Sequence, residues 1–275
     1  MARYQLTIVY DGTDFFGSQR QARNAGSSGS RPRTVQGELE DALRSLGWTG
    51  RSILMAGRTD TGVHATGQVA AVDLDWSHPE DDLVRALNAA LPADLAVHEA
   101  RMVDAKFHPR FDAASRRYRY RLFCQPLRDP IRERYAWRVW PAPDGEVLPQ
   151  VAKHFHGTHD FSAFGSPTAP KGTTVRTITR AEWMQTGEYE WHFEVQADAF
   201  LYRMVRRLVF VQVAVGQGKV SADAVAGSLA GQSRPESDRR LTAGNRSEKM
   251  PAGLAPAHGL TLVEVTYPTS ESIGQ

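Results

Sequence analysis

The order of strand-like and helix-like patterns at the start of the chain restricts its fold more than any other feature. Residues 3–10 alternate between apolar and polar side chains, and residues 35–46 carry an apolar stripe at helical spacing behind Thr34, a residue suited to an N-cap. Two further apolar runs, 53–55 and 69–74, are typical of strands. Strand, helix, strand and strand in this order predict an α+β fold rather than an alternating, doubly wound sheet.

The rest of the chain continues this mixed pattern. The segment Pro141–Gly145 combines proline and glycine and is the predicted boundary between two halves, 1–143 and 144–275. A Gly- and Ser-rich insert at 24–32, a basic stretch at 233–251 and the tail from 268 are predicted to be loops. Helices are predicted at 79–91, 147–155 and 222–229, and the stretch 198–208 is predicted to run into a further helix that ends at about 217. Strands are predicted at 95–103, 115–122, 175–184 and 190–197, and the stretch 255–262 is predicted to lead into a last strand that ends at 267.

Composition describes an ordinary globular protein and excludes several classes. Hydrophobic residues make up 41% and charged residues 23% of the 275 residues. No apolar run reaches the roughly 18–20 residues that a membrane-spanning helix needs. The single cysteine, Cys124, excludes a disulfide framework, and with no signal-peptide pattern at the start we expect a cytoplasmic location. A formal net charge of +2 does not by itself indicate a nucleic-acid-binding protein.

A single carboxylate, Asp60, lies between two glycines and two threonines in the stretch 57–62. Glycines allow turn conformations and the close approach of another molecule, while threonine hydroxyls and backbone amides can orient a carboxylate. Arg58 stands two residues before Asp60, and a nearby positive charge favours the ionised, nucleophilic carboxylate. The same residues also fit a surface turn with an Asx-type bond, so the D-T-G triplet alone does not separate a catalytic role from a structural one.

Arginine and tyrosine alternate in the predicted strand 115–122. The alternation places Arg117, Arg119 and Arg121 on one face, and the tyrosines on the other. Arginines bind phosphates and aromatic rings stack on unpaired bases, so the pattern suits an RNA-binding surface. The alternative is an amphipathic edge strand with its tyrosines in the core, and that interpretation stays open for Tyr120.

Three histidines and one aspartate between residues 154 and 160 are of the types that bind metal ions. Their spacing fits no pattern of metal ligands, so we expect no metal there. They are His154, His156, His159 and Asp160.

The nine residues from Gly57 to Ala65, G-R-T-D-T-G-V-H-A, resemble the signature of the TruA family of tRNA pseudouridine synthases. A nine-residue match is far more specific than a triplet. In the stretch Y-D-G-x-x-F-x-G-W-Q-R-Q of that family, this chain has Ser18 at the position of the tryptophan. The resemblance covers nearly the whole chain, since further matches follow in the family's order: R-x-Y-x-Y at 116–120, F-L-x-x-M-V-R at 200–206 and A-P-A-x-G-L-x-L at 255–262.

The resemblance implies the pseudouridine synthase fold, an α+β fold in which two similar α/β-sandwich halves share a mainly antiparallel sheet with a central basic cleft. The implied reaction breaks the C1′–N1 bond of uridine and forms a C1′–C5 bond, with no cofactor and no metal. The implied substrate is the anticodon stem-loop of tRNA, and the implied assembly is a homodimer.

Roles for individual residues follow from the same resemblance. Asp60 corresponds to the aspartate that attacks the target nucleotide, and Arg206 to the arginine that reaches this aspartate. Tyr118 corresponds to the tyrosine that stacks on the flipped base, and Leu260 to an apolar contact with the base. We expect Arg58 to hold the backbone of the flipped nucleotide, and Arg203 and Arg207 to contact phosphates.

Two other functions fit parts of the sequence. An aspartyl-phosphate phosphotransferase would use Asp60-Thr61-Gly62 as its nucleophile loop, but such enzymes need a second carboxylate for magnesium, and no D-x-D motif stands nearby. An RNA-binding protein without catalysis would explain the arginine–tyrosine strand, but it gives no reason for the glycine-flanked Asp60.

Overall fold

A computed structural model describes residues 1–21, 32–229 and 250–268. Residues 24–31 of the predicted insert, 233–249 of the predicted basic loop and 269–275 of the predicted tail lie outside the described residues. The helices are α1 (Val35–Ser45), α2 (Glu80–Ala90), α3 (Val147–Lys153), α4 (Met204–Gly216) and α5 (Ala222–Leu229). The strands are β1 (Ala2–Tyr10), β2 (Leu54–Met55), β3 (His64–Leu74), β4 (Leu95–Val103), β5 (Ser115–Phe123), β6 (Trp137–Arg138), β7 (Gly157–Asp160), β8 (Val175–Gly187), β9 (Glu190–Ala197) and β10 (Leu260–Thr266).

The chain divides into two compact units. Unit 1 comprises residues 1–116 and 261–275, and unit 2 comprises residues 117–260. The boundary predicted at 143/144 stays a prediction. Helices and mostly antiparallel strands occur in both units, and this confirms the predicted α+β class. No helix within the described ranges is long and apolar enough to cross a membrane.

In unit 1, strands run in the order β4-β1-β3-β10, with β2 paired to β3. The pairs β1–β3, β1–β4 and β2–β3 are antiparallel, whereas β10 runs parallel to β3, with Thr261 opposite His64. The predicted apolar face of β1 is confirmed, because its four large side chains are buried, and two leucines of α1 and two of α2 are buried as well. These side chains are Tyr4, Leu6, Ile8, Tyr10, Leu39, Leu43, Leu83 and Leu87.

In unit 1, the first residues of α1 and of β3 are determined by identifiable contacts. The side chain of Thr34 accepts a hydrogen bond from the Gly37 N–H at 3.2 Å, so Thr34 is the N-cap of α1 as predicted. Strand β3 begins at His64 and not at the predicted Val69, because pairing with β1 and β10 extends it over residues with little intrinsic strand preference.

In unit 2, strands run in the order β5-β9-β8-β7, and β6 pairs with β5 in parallel. Two buried polar side chains of this unit pair with each other: the Trp183 Nε1 donates to the Gln212 Oε1 at 2.8 Å, and this bond joins β8 to α4. Strands β8 and β9 form an antiparallel hairpin, with Gly187 opposite Glu190.

Candidate active site

Asp60 lies in the connection between β2 and β3 of unit 1. The Val63 N–H donates to the Asp60 carbonyl at 3.1 Å, and Gly62 has a φ of +78°, a value that favours glycine. On the other side of the turn, the Gln68 Nε2 donates to the Gly57 carbonyl at 3.0 Å. These bonds form a tight turn in which Asp60 is half-buried and Arg58 is exposed.

The segment from Tyr10 to Ser18 packs along this turn. The hydroxyls of Tyr10 and Thr59 share a hydrogen bond of 2.8 Å, and the Gly62 N–H donates to the Phe15 carbonyl at 3.4 Å. Burial raises the pKa of Tyr10 to about 12, although its hydrogen bonds with Thr59 and Gln68 act in the opposite direction. Tyr10 is therefore a neutral phenol at physiological pH.

Two glycines of the same segment allow its close approach to the turn. A Cβ on Gly12 would lie 2.0 Å from the Val63 carbonyl oxygen, and the Gly12 N–H donates to the Nδ1 of His64 at 3.0 Å. Gly17 has a φ of +87°, and a Cβ there would lie 2.9 Å from the Thr59 carbonyl oxygen. The spacing of the two glycines in Y-D-G-x-x-F-x-G thus follows from contact with both ends of the Asp60 turn.

Ser18 makes two hydrogen bonds to Thr59, the residue before Asp60. The Thr59 N–H donates to the Ser18 Oγ at 2.9 Å, and the Ser18 N–H donates to the Thr59 carbonyl at 3.1 Å. Ser18 is wholly buried. The position that departs from the family pattern is therefore in direct contact with the candidate nucleophile loop.

The arginine–tyrosine strand, β5, has the predicted alternation. The Tyr118 ring is largely buried and meets the Phe200 ring edge-on, with 5.1 Å between centroids. On the opposite face, Arg117 and Arg119 bind Glu194 of β9 at 3.3 and 2.6 Å. Arg180 contacts the same carboxylate at 3.1 Å, so three guanidinium groups surround one buried negative charge.

Three stretches that carry the resemblance meet in unit 2. The Arg206 Nε donates to the Ala255 carbonyl at 2.8 Å, and the Tyr120 hydroxyl donates to the Pro256 carbonyl at 2.9 Å. A Cβ on Gly259 would lie 2.6 Å from the Tyr120 ring, so glycine is required for this close packing. Burial raises the pKa of Tyr120 well above its ordinary value, although the charge of Arg206 acts to lower it. Strand β5, the start of α4 and the 255–260 segment therefore form one structural cluster.

Three other residues of unit 2 are predicted to contact the substrate: Arg203 and Arg207 its phosphates, and Leu260 its base. Arg203 has a φ of +62°, and its guanidinium lies 4.7 Å from the centre of the Tyr202 ring. The Nη1 of Arg207 donates to the carbonyls of Pro251 and Gly253. Leu260 is buried at the start of β10.

Comparison with known proteins identifies the family. The family profile described as tRNA pseudouridine synthase matches residues 7–112 and 151–268. The chain belongs to the tRNA pseudouridine synthase family. Curated relatives in this family are named tRNA pseudouridine synthase A. One from Chloroflexus aurantiacus is 40% identical over 98% of this chain and 90% of its own length, and one from Geobacter sp. is 38% identical over 98% and 100%.

Membership in the tRNA pseudouridine synthase family makes the chain an isomerase and confirms the predicted pseudouridine synthase fold. It also sets aside the phosphotransferase and the non-catalytic RNA-binding protein as alternatives. Among solved structures, the archaeal box H/ACA sRNP Nop10–Cbf5 complex is similar over 77% of this chain and 43% of that chain. Its TM-score of 0.36 and its sequence identity of 11% are too low to add to the family assignment.

The family signature led to Asp60 but not to the residues that hold its loop. Tyr10, Ser18 and Gln68 contact the turn from elsewhere in unit 1, and none was predicted to do so. The available signal was the Y-D-G-x-x-F-x-G stretch, whose glycines indicate close backbone contact. The sequence did not show which segment these glycines contact, because Ser18 and Thr59 are far apart along the chain.

Among the described residues, no group of three or more His, Cys, Asp and Glu side chains could hold a metal ion.

Proposed function

We propose that this chain converts uridine to pseudouridine in the anticodon stem-loop of tRNA, with Asp60 as the nucleophile. The observation that carries the proposal is the turn at 57–63: its backbone is hydrogen-bonded on both sides, and it presents one half-buried carboxylate. A nucleophile held in this way needs little reorganisation when the substrate binds.

The reaction is a bond exchange within one nucleotide. The C1′–N1 bond breaks, the uracil rotates, C1′ bonds to C5, and the proton on C5 is lost while N1 gains one. Asp60 attacks C1′ or C6, or takes a proton from the sugar. A uridine inside a folded RNA must first be extruded, at a cost of a few kcal/mol.

The residues of unit 2 are proposed to bind the extruded nucleotide. Stacking on Tyr118 would return about 1–3 kcal/mol of the extrusion cost, and Leu260 would contact the base through apolar atoms. Arg206 is proposed to stabilise the charge on Asp60, and Arg58 to hold the nucleotide's backbone. Arg203 and Arg207 are proposed to contact phosphates, and two copies of the chain to bind tRNA as a homodimer.

Tritium release from tRNA transcripts labelled with [5-³H]uridine tests the reaction, because the C5 proton leaves only when the new bond forms. We expect release by the wild type without added metal, and a loss of at least about 10³-fold in Asp60→Asn with tRNA binding retained. The control is Asp81→Asn, which changes an exposed carboxylate of α2 in unit 1. Full activity in Asp60→Asn would refute the assignment of the nucleophile.

Transcripts in which single uridines of the anticodon stem-loop are replaced by cytidine test the substrate position. Release should fall only for replacements at modified positions. Unchanged release from a transcript lacking every uridine of that stem-loop would contradict the proposed site.

Sedimentation velocity tests the homodimer, and a mass of about 30.5 kDa at micromolar concentration would contradict it.

A further inference from the structure

We propose that Ser18 is a positioning residue of the active site, whose buried hydroxyl sets the orientation of Asp60 through the backbone of Thr59. This inference rests on the proposed role of Asp60 as the nucleophile. It concerns the one position of the Y-D-G stretch at which this chain has a serine in place of the family's tryptophan.

The polar groups of Thr59 are all hydrogen-bonded to the segment 10–18. Its N–H donates to the Ser18 Oγ at 2.9 Å, its carbonyl accepts from the Ser18 N–H at 3.1 Å, and its hydroxyl is bonded to the Tyr10 hydroxyl at 2.8 Å. The Thr59 carbonyl belongs to the peptide group that joins Thr59 to Asp60. Both peptide groups that flank Thr59 are therefore oriented by Ser18, and the second of them sets the direction in which the chain enters Asp60.

Ser18 is itself fixed from two directions. The Ser18 carbonyl accepts from the Gln36 N–H at 2.9 Å, in the first turn of α1. The Gln36 side chain in turn accepts from the Arg20 N–H at 3.0 Å. On the other side, Gly17 approaches the Thr59 carbonyl so closely that any side chain there would collide with it. The position of Ser18 is thus set by α1, and Ser18 transmits it to the Asp60 turn.

The chemistry at position 18 requires a small hydrogen-bond acceptor. The side chain is 0% exposed, so no solvent replaces the acceptor if the hydroxyl is removed. A buried N–H without an acceptor is costly, and the loop can recover a partner only by moving. An indole carries an N–H donor and no acceptor, so a tryptophan at this position could not accept from the Thr59 N–H. The bond from Thr59 to the side chain at 18 is therefore a property of the serine.

The test compares Ser18→Ala with Ser18→Cys, because a thiol, although larger than the hydroxyl, is still a weak acceptor. We expect kcat to fall roughly 10- to 100-fold in Ser18→Ala, since small displacements of a reacting group have effects of that order. The Kd for tRNA should change by no more than a few-fold, because of the proposed backbone and phosphate contacts only Arg58 adjoins this turn, while Arg203 and Arg207 belong to unit 2. Ser18→Cys should lie between Ser18→Ala and the wild type.

Asn88→Ala is the control for general destabilisation. It removes a side-chain acceptor from another backbone N–H of unit 1, because the Val97 N–H donates to the Asn88 Oδ1 at 2.8 Å. Asn88 belongs to α2 and not to the segment 10–18, to α1 or to the Asp60 turn. All variants are assayed at least about 15 °C below their own Tm. We expect Asn88→Ala to lower Tm and to leave kcat unchanged. An equal fall in kcat in Asn88→Ala, or an unchanged kcat in Ser18→Ala, would overturn the inference.

Two further arms separate this inference from the proposed function. Asp60→Asn is assayed in parallel, and full activity in that variant would refute the nucleophile and not the geometry at Ser18. Loss of activity in Asp60→Asn together with wild-type kcat in Ser18→Ala would refute Ser18 alone. If Ser18→Ala does not fold, Ser18→Cys decides the question, and wild-type kcat in that variant with a lowered Tm would count against positioning.

Discussion

The side chain and the backbone of Arg206 both bind Ala255. The Arg206 Nε donates to the Ala255 carbonyl at 2.8 Å, and the Ala255 N–H donates to the Arg206 carbonyl at 3.2 Å. The direction of the guanidinium is thus set by the segment that leads into Leu260. This pairing has a direct consequence for substitution at 206.

Arg206→Lys keeps the positive charge but has no Nε–H to donate to Ala255. We expect kcat to fall by about 10- to 100-fold, because the charge is no longer held in one direction. Single-turnover tritium release measures the effect. The control is Arg85→Lys, at an exposed arginine of α2, which should leave kcat unchanged. Wild-type kcat in Arg206→Lys would show that charge alone is sufficient at this position.

Tyr120→Phe removes the hydroxyl that donates to the Pro256 carbonyl at 2.9 Å. The Tyr120 side chain is wholly buried and Pro256 is half-buried, so the carbonyl regains at most part of its hydration when the hydroxyl is removed. We expect the free energy of unfolding to fall by about 1–2 kcal/mol. Urea denaturation measures it. Tyr4→Phe is the control, since the Tyr4 hydroxyl makes only a long bond of 3.5 Å to the Trp76 carbonyl and should contribute less. Equal losses in the two variants would contradict this assignment.

Glu194 makes stability depend on pH. Burial alone would raise the pKa of Glu194, but the hydrogen bond from Arg119 and the charges of Arg119, Arg180 and Arg117 hold it below its ordinary value of 4.5. Because the pKa is lower in the folded state than in the unfolded state, the carboxylate stabilises the fold fully above pH 4.5, and this contribution is lost as pH falls through the folded pKa.

Glu194→Gln should therefore lower the free energy of unfolding at pH 7 by about 2–4 kcal/mol, less than for a fully buried pair because the arginines are partly exposed. Denaturation at pH 7 and at pH values below 4.5 should show that the difference from wild type shrinks in acid. Glu182→Gln is the control: its carboxylate is exposed and binds Arg180 at 3.0 Å, and the loss should stay below about 1 kcal/mol. A difference that does not change with pH would contradict the assignment.

Gly12→Ala would place a Cβ 2.0 Å from the Val63 carbonyl oxygen, a contact between two backbone segments that cannot move aside cheaply. We expect a loss of about 2 kcal/mol or more in the free energy of unfolding. Thermal denaturation measures it, with Gly227→Ala as the control. Gly227 is in α5 and has nothing within 4 Å of such a Cβ, so alanine there should stabilise by about 0.5–1 kcal/mol. A neutral Gly12→Ala would refute the close approach.

The elements with strong periodicity were predictable from the sequence. The predicted limits of β4, β9 and α5 are those of the structure, and the buried face of β1 follows from simple alternation. Position 194 shows the limit of this reasoning. Alternation places Glu194 opposite the apolar residues of β9, as though exposed, but it is buried under arginines of two other strands. A single-strand pattern contains no information on which charges the neighbouring strands supply.

The candidate site was predictable where one continuous motif carries it and not where distant segments meet. Asp60 follows from nine consecutive residues. The roles of Tyr10 and Ser18 depend on hydrogen bonds to Thr59, whose distance along the chain no local pattern encodes. Their contacts arise from tertiary packing, as does the extension of β3 to His64.

The parallel pairing of β10 with β3 has a consequence for biosynthesis. Thr261 and Leu262 lie beside His64 and Ala65, the residues that directly follow the candidate nucleophile turn. The ribosome reaches β10 only after residues 117–259 have been made. The β3 edge next to Asp60 therefore has no β10 beside it while residues 75–259 are synthesised, and a nascent chain that has released only residues 1–116 carries the family signature without the strand that pairs with this edge.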